Sequence, residues 1–280
     1  MKDRSRLLRR LSLIEQYLPY LVVAIFILLL FIFNYGNLSS YFTKDNPKGE
    51  LFKVSLTVVA GIVASIALYY SAKRVTAIEK GNVDTRFNNA VGYLGNNNPT
   101  VVLGGIHTLH QIAVGNKNYQ QIVHNLFCSY LRENSAKLYK DVEQTKSSIK
   151  CPVSIQMLID YLFKFYNDEK SIYCEFKSDL SGSILKKCDF STAILTNCIF
   201  NSVTLSNCRF DTAKLIKCLF DKSALTNCCF HFTQLTDCSF DDARLTRCDF
   251  GGAIIPQLTK ENLGKAILID CLPASIISPS

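Results

Sequence analysis

From Ser183 to Gln257 the chain, written in fives, reads SILKK CDFST AILTN CIFNS VTLSN CRFDT AKLIK CLFDK SALTN CCFHF TQLTD CSFDD ARLTR CDFGG AIIPQ. The third place is always Leu, Phe or a closing Ile: Leu185, Phe190, Leu195, Phe200, Leu205, Phe210, Leu215, Phe220, Leu225, Phe230, Leu235, Phe240, Leu245, Phe250 and Ile255. A helix would scatter such a period around its circumference, and a flat strand needs a period of two. A period of five needs a chain that turns a corner every five residues.

This pattern resembles the pentapeptide-repeat family, in which each five begins with a small residue and carries Leu or Phe third. The resemblance covers Ser178 to Gln257 without a gap. It departs from the family at the second place, where only Asp179, Asp189 and Asp249 supply the usual Asp or Asn. The resemblance implies a right-handed quadrilateral β-helix with four pentapeptides per coil, and so four coils over 178–257, a rod roughly 19 Å tall at strand spacing.

With four faces per coil, each place stacks on the same place four fives later. Phe190, Phe210, Phe230 and Phe250 then form one ladder and Phe200, Phe220 and Phe240 the opposite one, with Leu ladders on the remaining faces. Each buried ring is worth roughly 1.5–3 kcal/mol of transfer free energy. The first place points inward and must be small. It alternates Cys with Ala, Ser, Val or Thr, so Cys188, Cys208, Cys228 and Cys248 stack on one side and Cys198, Cys218 and Cys238 on the other. Parallel Cβ vectors about 4.8 Å apart exceed disulfide reach, and a linear stack cannot converge on a tetrahedral metal. These cysteines read as compact core residues, with no metal and no cofactor.

Outward places carry eight Lys and Arg between Lys186 and Arg247 against eight Asp between Asp179 and Asp249. Some family members resemble duplex DNA and bind gyrase through an acidic face. A balanced rod does not imitate a polyanion, so that role is the weakest of three. Cys229, His231 and Phe232 lie at outward places among polar neighbours and form a candidate partner-contact patch, with Cys229 a candidate reactive thiol. The bland alternative is a corner aromatic that folds back on the rod.

Upstream, residues 73–170 show helical periodicity. Asn98 before Pro99 starts a helix carrying Val102, Ile106, Leu109 and Ala113, closed by Gly115 and Asn116. The next carries Tyr119, Ile122, Val123, Leu126, Phe127 and Tyr130, and a third follows Pro152 with Ile155, Leu158, Ile159, Leu162 and Phe163. The arrangement is similar to the helical module between anchor and repeats in many bacterial membrane-bound pentapeptide-repeat proteins, which implies a small HEAT-like packing. Residues 135–150, rich in Lys and acid, read as an exposed loop. His107 with His110 and His124 with Cys128 have zinc-like helical spacing. Each pair falls away from its helix's apolar stripe, so solvated surface is expected.

Of 280 residues, 48% are apolar and 19% charged, with a net charge of +8, 12 Cys, 2 Met, no Trp and 4 His. Mean hydropathy is +0.14. Two uncharged segments, 17–35 and 54–72, account for much of this. Each is long enough to cross a bilayer, and Ala60, Gly61, Ala64 and Ser65 in the second permit close helix packing. Basic residues concentrate in 1–16 and just after 72, whereas the 36–53 loop has only Lys44 and Lys48 between Gly36 and Phe52, which places both termini in the cytoplasm. A cleaved leader does not fit, because the first run is too long and a second follows. Nor does a nucleic-acid footprint, because no aromatics interleave with the basic cluster.

The expected fold class is therefore membrane-anchored α+β: a two-helix transmembrane hairpin, a helical module and the solenoid. A C-terminal segment, 258–280, is expected to form a lid helix over Thr259–Ile269 and a tail. No nucleophile–base pair, phosphate loop or convergent carboxylates appear, so no enzyme activity is expected. The leading expectation is an inner-membrane scaffold with lipid and a protein partner, no nucleic acid, and oligomer contacts through spans or solenoid end. The alternative is an effector of a defence or toxin system whose spans perturb the membrane.

Overall fold

The structure is a computed structural model that describes residues 47–144, 150–164, 170–255 and 266–271. The basic segment 1–16 and the span at 17–35 lie outside the described residues. The chain divides into two compact units, Met1–Val83 and Asp84–Ser280.

Helix α1 runs unbroken over Pro47–Leu94, so the expected span 54–72 is a stretch within a longer helix. Its part from Thr57 onward contains a stretch apolar and long enough, by length and composition, to cross a membrane, and none of that stretch is buried. Val58, Ile62, Leu68 and Tyr69 all stand exposed.

In the second unit, the end of α1 packs through Phe87, Ala90, Val91 and Leu94 with α2 (Pro99–Gly115), α3 (Lys117–Gln144) and α4 (Val153–Phe163). The Asn98 side chain caps α2 by accepting from Thr100 N, and Asn116 N–H closes it on Ile112 O. Gly105 is required where α1 meets α2: a Cβ there would sit 2.9 Å from Ala90 O and 2.9 Å from Tyr93 Cβ. The expected loop at 135–150 is corrected as far as Gln144, because α3 continues through it. Ser135 and Tyr139 on that stretch are buried, since its inner face covers the first coil of the solenoid.

Eight short strands follow among the described residues: β1 (Ile184–Lys186), β2 (Ile194–Thr196), β3 (Thr204–Ser206), β4 (Lys214–Ile216), β5 (Ala224–Thr226), β6 (Gln234–Thr236), β7 (Arg244–Thr246) and β8 (Ile267–Ile269). They form two parallel sheets, β1-β3-β5-β7-β8 and β2-β4-β6. From β1 to β7 the register is uniform, each residue facing its counterpart four fives later, as in Leu185 opposite Leu205 and Leu195 opposite Leu215. Two further rows of single parallel bridges, Asp179–Ile199–Leu219–Ser239 and Asp189–Arg209–Cys229–Asp249, complete four faces.

Every corner has the same device. The fifth place of each five adopts a left-handed backbone, with φ between 51° and 64° at non-glycine residues from Lys187 to Asp270. Asn197, Asn207, Asn227 and Asp237 tolerate this conformation, whereas Thr192, Thr212 and Phe232 adopt it at a cost. The offset is cooperative: each coil hydrogen-bonds to the next, as in Phe190 N to Arg209 O at 2.7 Å and Arg209 N to Cys188 O at 3.0 Å.

Inside, rings one coil apart stack face to face at 4.7–4.9 Å, from Phe190 on Phe210 to Phe230 on Phe250 and from Phe200 on Phe220 to Phe220 on Phe240. The ladder cysteines are buried, and their thiols reach carbonyls of the preceding coil, as in Cys208 Sγ to Leu185 O at 3.3 Å and Cys218 Sγ to Leu195 O at 3.4 Å. All twelve cysteines are free.

At the far end, residues 267–269 are strand rather than the end of a lid helix. They pair with β7, Leu245 opposite Leu268, so three extra residues intervene before the face is resumed. Cys271 then donates to Leu245 O at 3.5 Å, a further rung on the ladder of Cys188 to Cys248. Most of the expected lid helix, and the tail from 272 onward, lie outside the described residues.

Candidate functional site

Two places among the described residues gather reactive or polar side chains: the face carrying Cys229, His231 and Phe232, and the seam where the helices meet the first coil.

On the first, parallel stacking alone builds the site. Second places stack as Asp189, Arg209, Cys229 and Asp249. Fourth places one coil apart add Ser191, Asp211, His231 and Gly251. Cys229 Sγ lies 3.2 Å from His231 Nδ1, and His231 Nε2 lies 2.8 Å from Asp249 Oδ2 on the next coil. Asp211 Oδ1, from the preceding coil, accepts from His231 N at 3.3 Å and lies 3.9 Å from its Nδ1. The other oxygen of Asp211 is held by Arg209, Nε at 3.0 Å and Nη2 at 2.9 Å. Asp211, Cys229 and His231 thus offer three ligand atoms within 4.8 Å of one another, all half-buried.

The electrostatics follow from these contacts. Burial, then the Asp211 carboxylate, pushes the Cys229 thiol up to about 11. His231 holds the Asp249 carboxyl below the ordinary carboxylate range. A thiol raised in this way is a poor nucleophile at neutral pH.

Glycines on the next coil make the room. A Cβ at Gly251 would meet the His231 ring at 3.0 Å, and one at Gly252 the Phe232 ring at 2.6 Å. Phe232 therefore leans over Gly252 and is still 68% exposed. It combines the folded-back corner aromatic with a displayed apolar surface.

The seam lies between α3, α4 and β1. Tyr139 Oη donates to Lys186 O at 2.7 Å and accepts from Lys186 N at 2.8 Å. Ser135 Oγ accepts from Ile184 N at 3.0 Å. The Gln156 amide does the same at the next face, donating to Asp189 O and accepting from Asp189 N. Side chains of two helices thereby satisfy the open edge of the first coil, which an unprotected solenoid would expose. Arg132 pairs with Asp179, and Lys164 with Asp189 at 3.2 Å.

Of the four residues expected on a solvated surface, His107 is there and the other three are not. His107 is exposed and its Nδ1 meets Tyr161 Oη at 2.8 Å. His110, His124 and Cys128 are buried. His110 stacks on Tyr161 at 3.9 Å and bonds Tyr173 Oη through Nδ1, while His124 Nε2 meets Ser178 Oγ at 2.9 Å. Tyr161 of α4 and the segment 171–180 cover a second face of these helices, which the apolar stripe alone does not reveal. Burial drops the His110 pKa to about 4 and lowers that of His124, while it raises the Cys128 thiol to about 11.

The family model described as Pentapeptide repeats matches in eight copies over residues 177–211 and 205–242, within the segment where the uniform register is seen. The chain carries a pentapeptide-repeat solenoid. Among solved structures, it is similar to a pentapeptide repeat protein of the Arabidopsis thaliana thylakoid lumen, at 13% identity, covering 33% of this chain and 59% of that one, TM-score 0.27. HetL, a pentapeptide repeat protein involved in heterocyst differentiation regulation in Nostoc, matches at 18% identity over 34% of this chain and 51% of its own, TM-score 0.17. The Cyanothece pentapeptide repeat protein Rfr23 matches at 19% over 40% and 73%, TM-score 0.17. The chain thus spans little more than half the length of the first two. Among curated proteins no sequence match is found. The assignment of the pentapeptide-repeat solenoid rests on the matched repeats and the four stacked rows.

Proposed function

We propose that this chain is a membrane-anchored scaffold whose solenoid is presented in the cytoplasm to a protein partner, with α1 inserted as one of two spans and the remaining helices in HEAT-like packing. The observation that carries the reading is α1: its apolar stretch is unburied among the described residues, and the same helix continues into the module that caps the solenoid. An apolar helix face without cover is stable only against lipid or another protein. Binding rather than catalysis fits a displayed aromatic beside a balanced surface, with a raised thiol where a nucleophile would be needed.

Three measurements test this. Carbonate extraction of membranes from cells making the full chain should leave it in the pellet, and release into the supernatant would remove the anchor. A photo-crosslinking residue at Phe232 should give a discrete adduct that the same residue at Lys217 does not; identical patterns would remove the patch. A membrane-potential dye separates the scaffold from a membrane-perturbing effector, which depolarises when triggered.

A further inference from the structure

We propose that Asp211, Cys229 and His231 form a binding site for one divalent transition-metal ion of the zinc class, with Asp249 fixing the histidine ligand. The site is independent of the membrane reading. It needs only the coil stacking that sets these side chains side by side.

The distances suit such an ion. Zinc bonds sulfur at about 2.3 Å and nitrogen or oxygen at about 2.0–2.2 Å, so tetrahedral ligand atoms stand roughly 3.4–3.6 Å apart. Sγ to Nδ1 is 3.2 Å and Nδ1 to Asp211 Oδ1 is 3.9 Å, which brackets that spacing, and all three ligand atoms lie within 4.8 Å of one another.

The imidazole is oriented for the task. Asp249 accepts from Nε2 at 2.8 Å, which places the ring proton on Nε2 and leaves the Nδ1 lone pair facing Cys229 and Asp211. This is the carboxylate–histidine arrangement that orients metal-bound imidazoles and raises their basicity. Asp211 is divided in the same sense: Arg209 holds Oδ2, so Oδ1 remains on the side of the ring.

The rival reading is a Cys–His–Asp nucleophile, which shares Cys229, His231 and Asp249. Asp211 decides between them. Its Oδ1 lies on the Nδ1 side of the ring beside Cys229, a third ligand atom that a nucleophile–base pair does not use. On binding, the thiol proton is released to solvent and the Sγ lone pair it leaves is donated to the metal. Three protein ligands leave a fourth position for water or for a donor atom from a partner.

The test uses the full chain in detergent, titrated with Co2+ and then Zn2+. One equivalent of Co2+ should produce a thiolate-to-cobalt charge-transfer band and tetrahedral d–d bands, both displaced by Zn2+. Cys229→Ser should abolish the charge-transfer band. Asp249→Asn should keep the spectrum and weaken affinity about 10–100-fold, and Phe232→Ala should leave affinity unchanged. No charge-transfer band in the unaltered protein, a band of equal strength in Cys229→Ser, or unchanged affinity in Asp249→Asn overturns the site. Circular dichroism shows that each variant is folded, and Asp249→Asn decides the matter if Cys229→Ser is not.

Discussion

Cys151 Sγ, just before α4, lies 3.1 Å from Cys188 Sγ, the first rung of the cysteine ladder. The contact joins the helical module to the first coil, and Tyr139 Oη touches both sulfurs, at 3.7 and 3.2 Å. The hydrogen bond with Cys188 lowers the Cys151 pKa, whereas burial raises that of Cys188. Of these two thiols, Cys151 is therefore the one that ionises first.

Diamide treatment should form one intramolecular Cys151–Cys188 disulfide, the two thiols giving up two protons and two electrons as diamide is reduced to its hydrazine. Peptide mapping by mass spectrometry checks this. A map dominated by pairs within the ladder, such as Cys188–Cys208, would contradict the geometry. Cys151→Ser should abolish the product.

Tyr139→Phe should destabilise the protein by about 2 kcal/mol, because one hydroxyl both donates to and accepts from the Lys186 backbone at the edge of β1. Urea unfolding measures it. The ring itself is retained, so an unchanged unfolding midpoint would mean that the edge is satisfied in another way.

Thr192→Asn should stabilise by about 1 kcal/mol, since Thr192 holds φ at 64° with a branched Cβ and Asn visits that conformation far more readily. The backbone bond from Thr192 N to Asp211 O is unaffected by the change. The melting temperature should rise by about 2–4 °C; no rise would show that the corner is relaxed.

Stability should fall on acidification from about pH 6.5 toward pH 4. Burial, and then the nearby His107, lowers the His110 pKa from its ordinary 6.5 to about 4, so in that window the unfolded chain binds a proton that the folded chain does not. Stability is complete above the unfolded value, declines by at most about 1.4 kcal/mol per pH unit for this proton, and levels off below the folded value. His124 shifts in the same direction. Urea midpoints from pH 7.5 to 4.5 should show a shallower slope for His110→Gln than for the unaltered protein. Parallel slopes would place His110 in water.

The solenoid was legible because its code is local and repeated. One small inward residue and one large one in every five leave a single way to bury Leu185 through Ile255, and the coil-to-coil register follows from four faces. Helix α2 was legible from Asn98, Pro99 and Gly115 for the same reason: capping is a matter of near neighbours. The continuation of α3 past residue 135 was not, because the Lys- and acid-rich surface of that stretch conceals Ser135 and Tyr139, whose partners lie on β1, far along the chain. Cys271 was equally opaque, since a three-residue interruption takes it out of the period.

Sequence alone determined the repeat, its core and the inward place of seven cysteines, because each depends on the period of one chain segment and on which side chains avoid water. Tertiary structure decided the rest. Stacking at 4.7–4.9 Å makes neighbours of residues a full coil apart, and only then do Asp211, Cys229, His231 and Asp249 become one cluster. Likewise the burial of His110 and His124, and the capping of the first coil by Tyr139 and Gln156, come from contacts between elements. Such contacts leave no mark in the hydropathy of either partner, because each depends on where the other element places a single hydrogen-bonding atom.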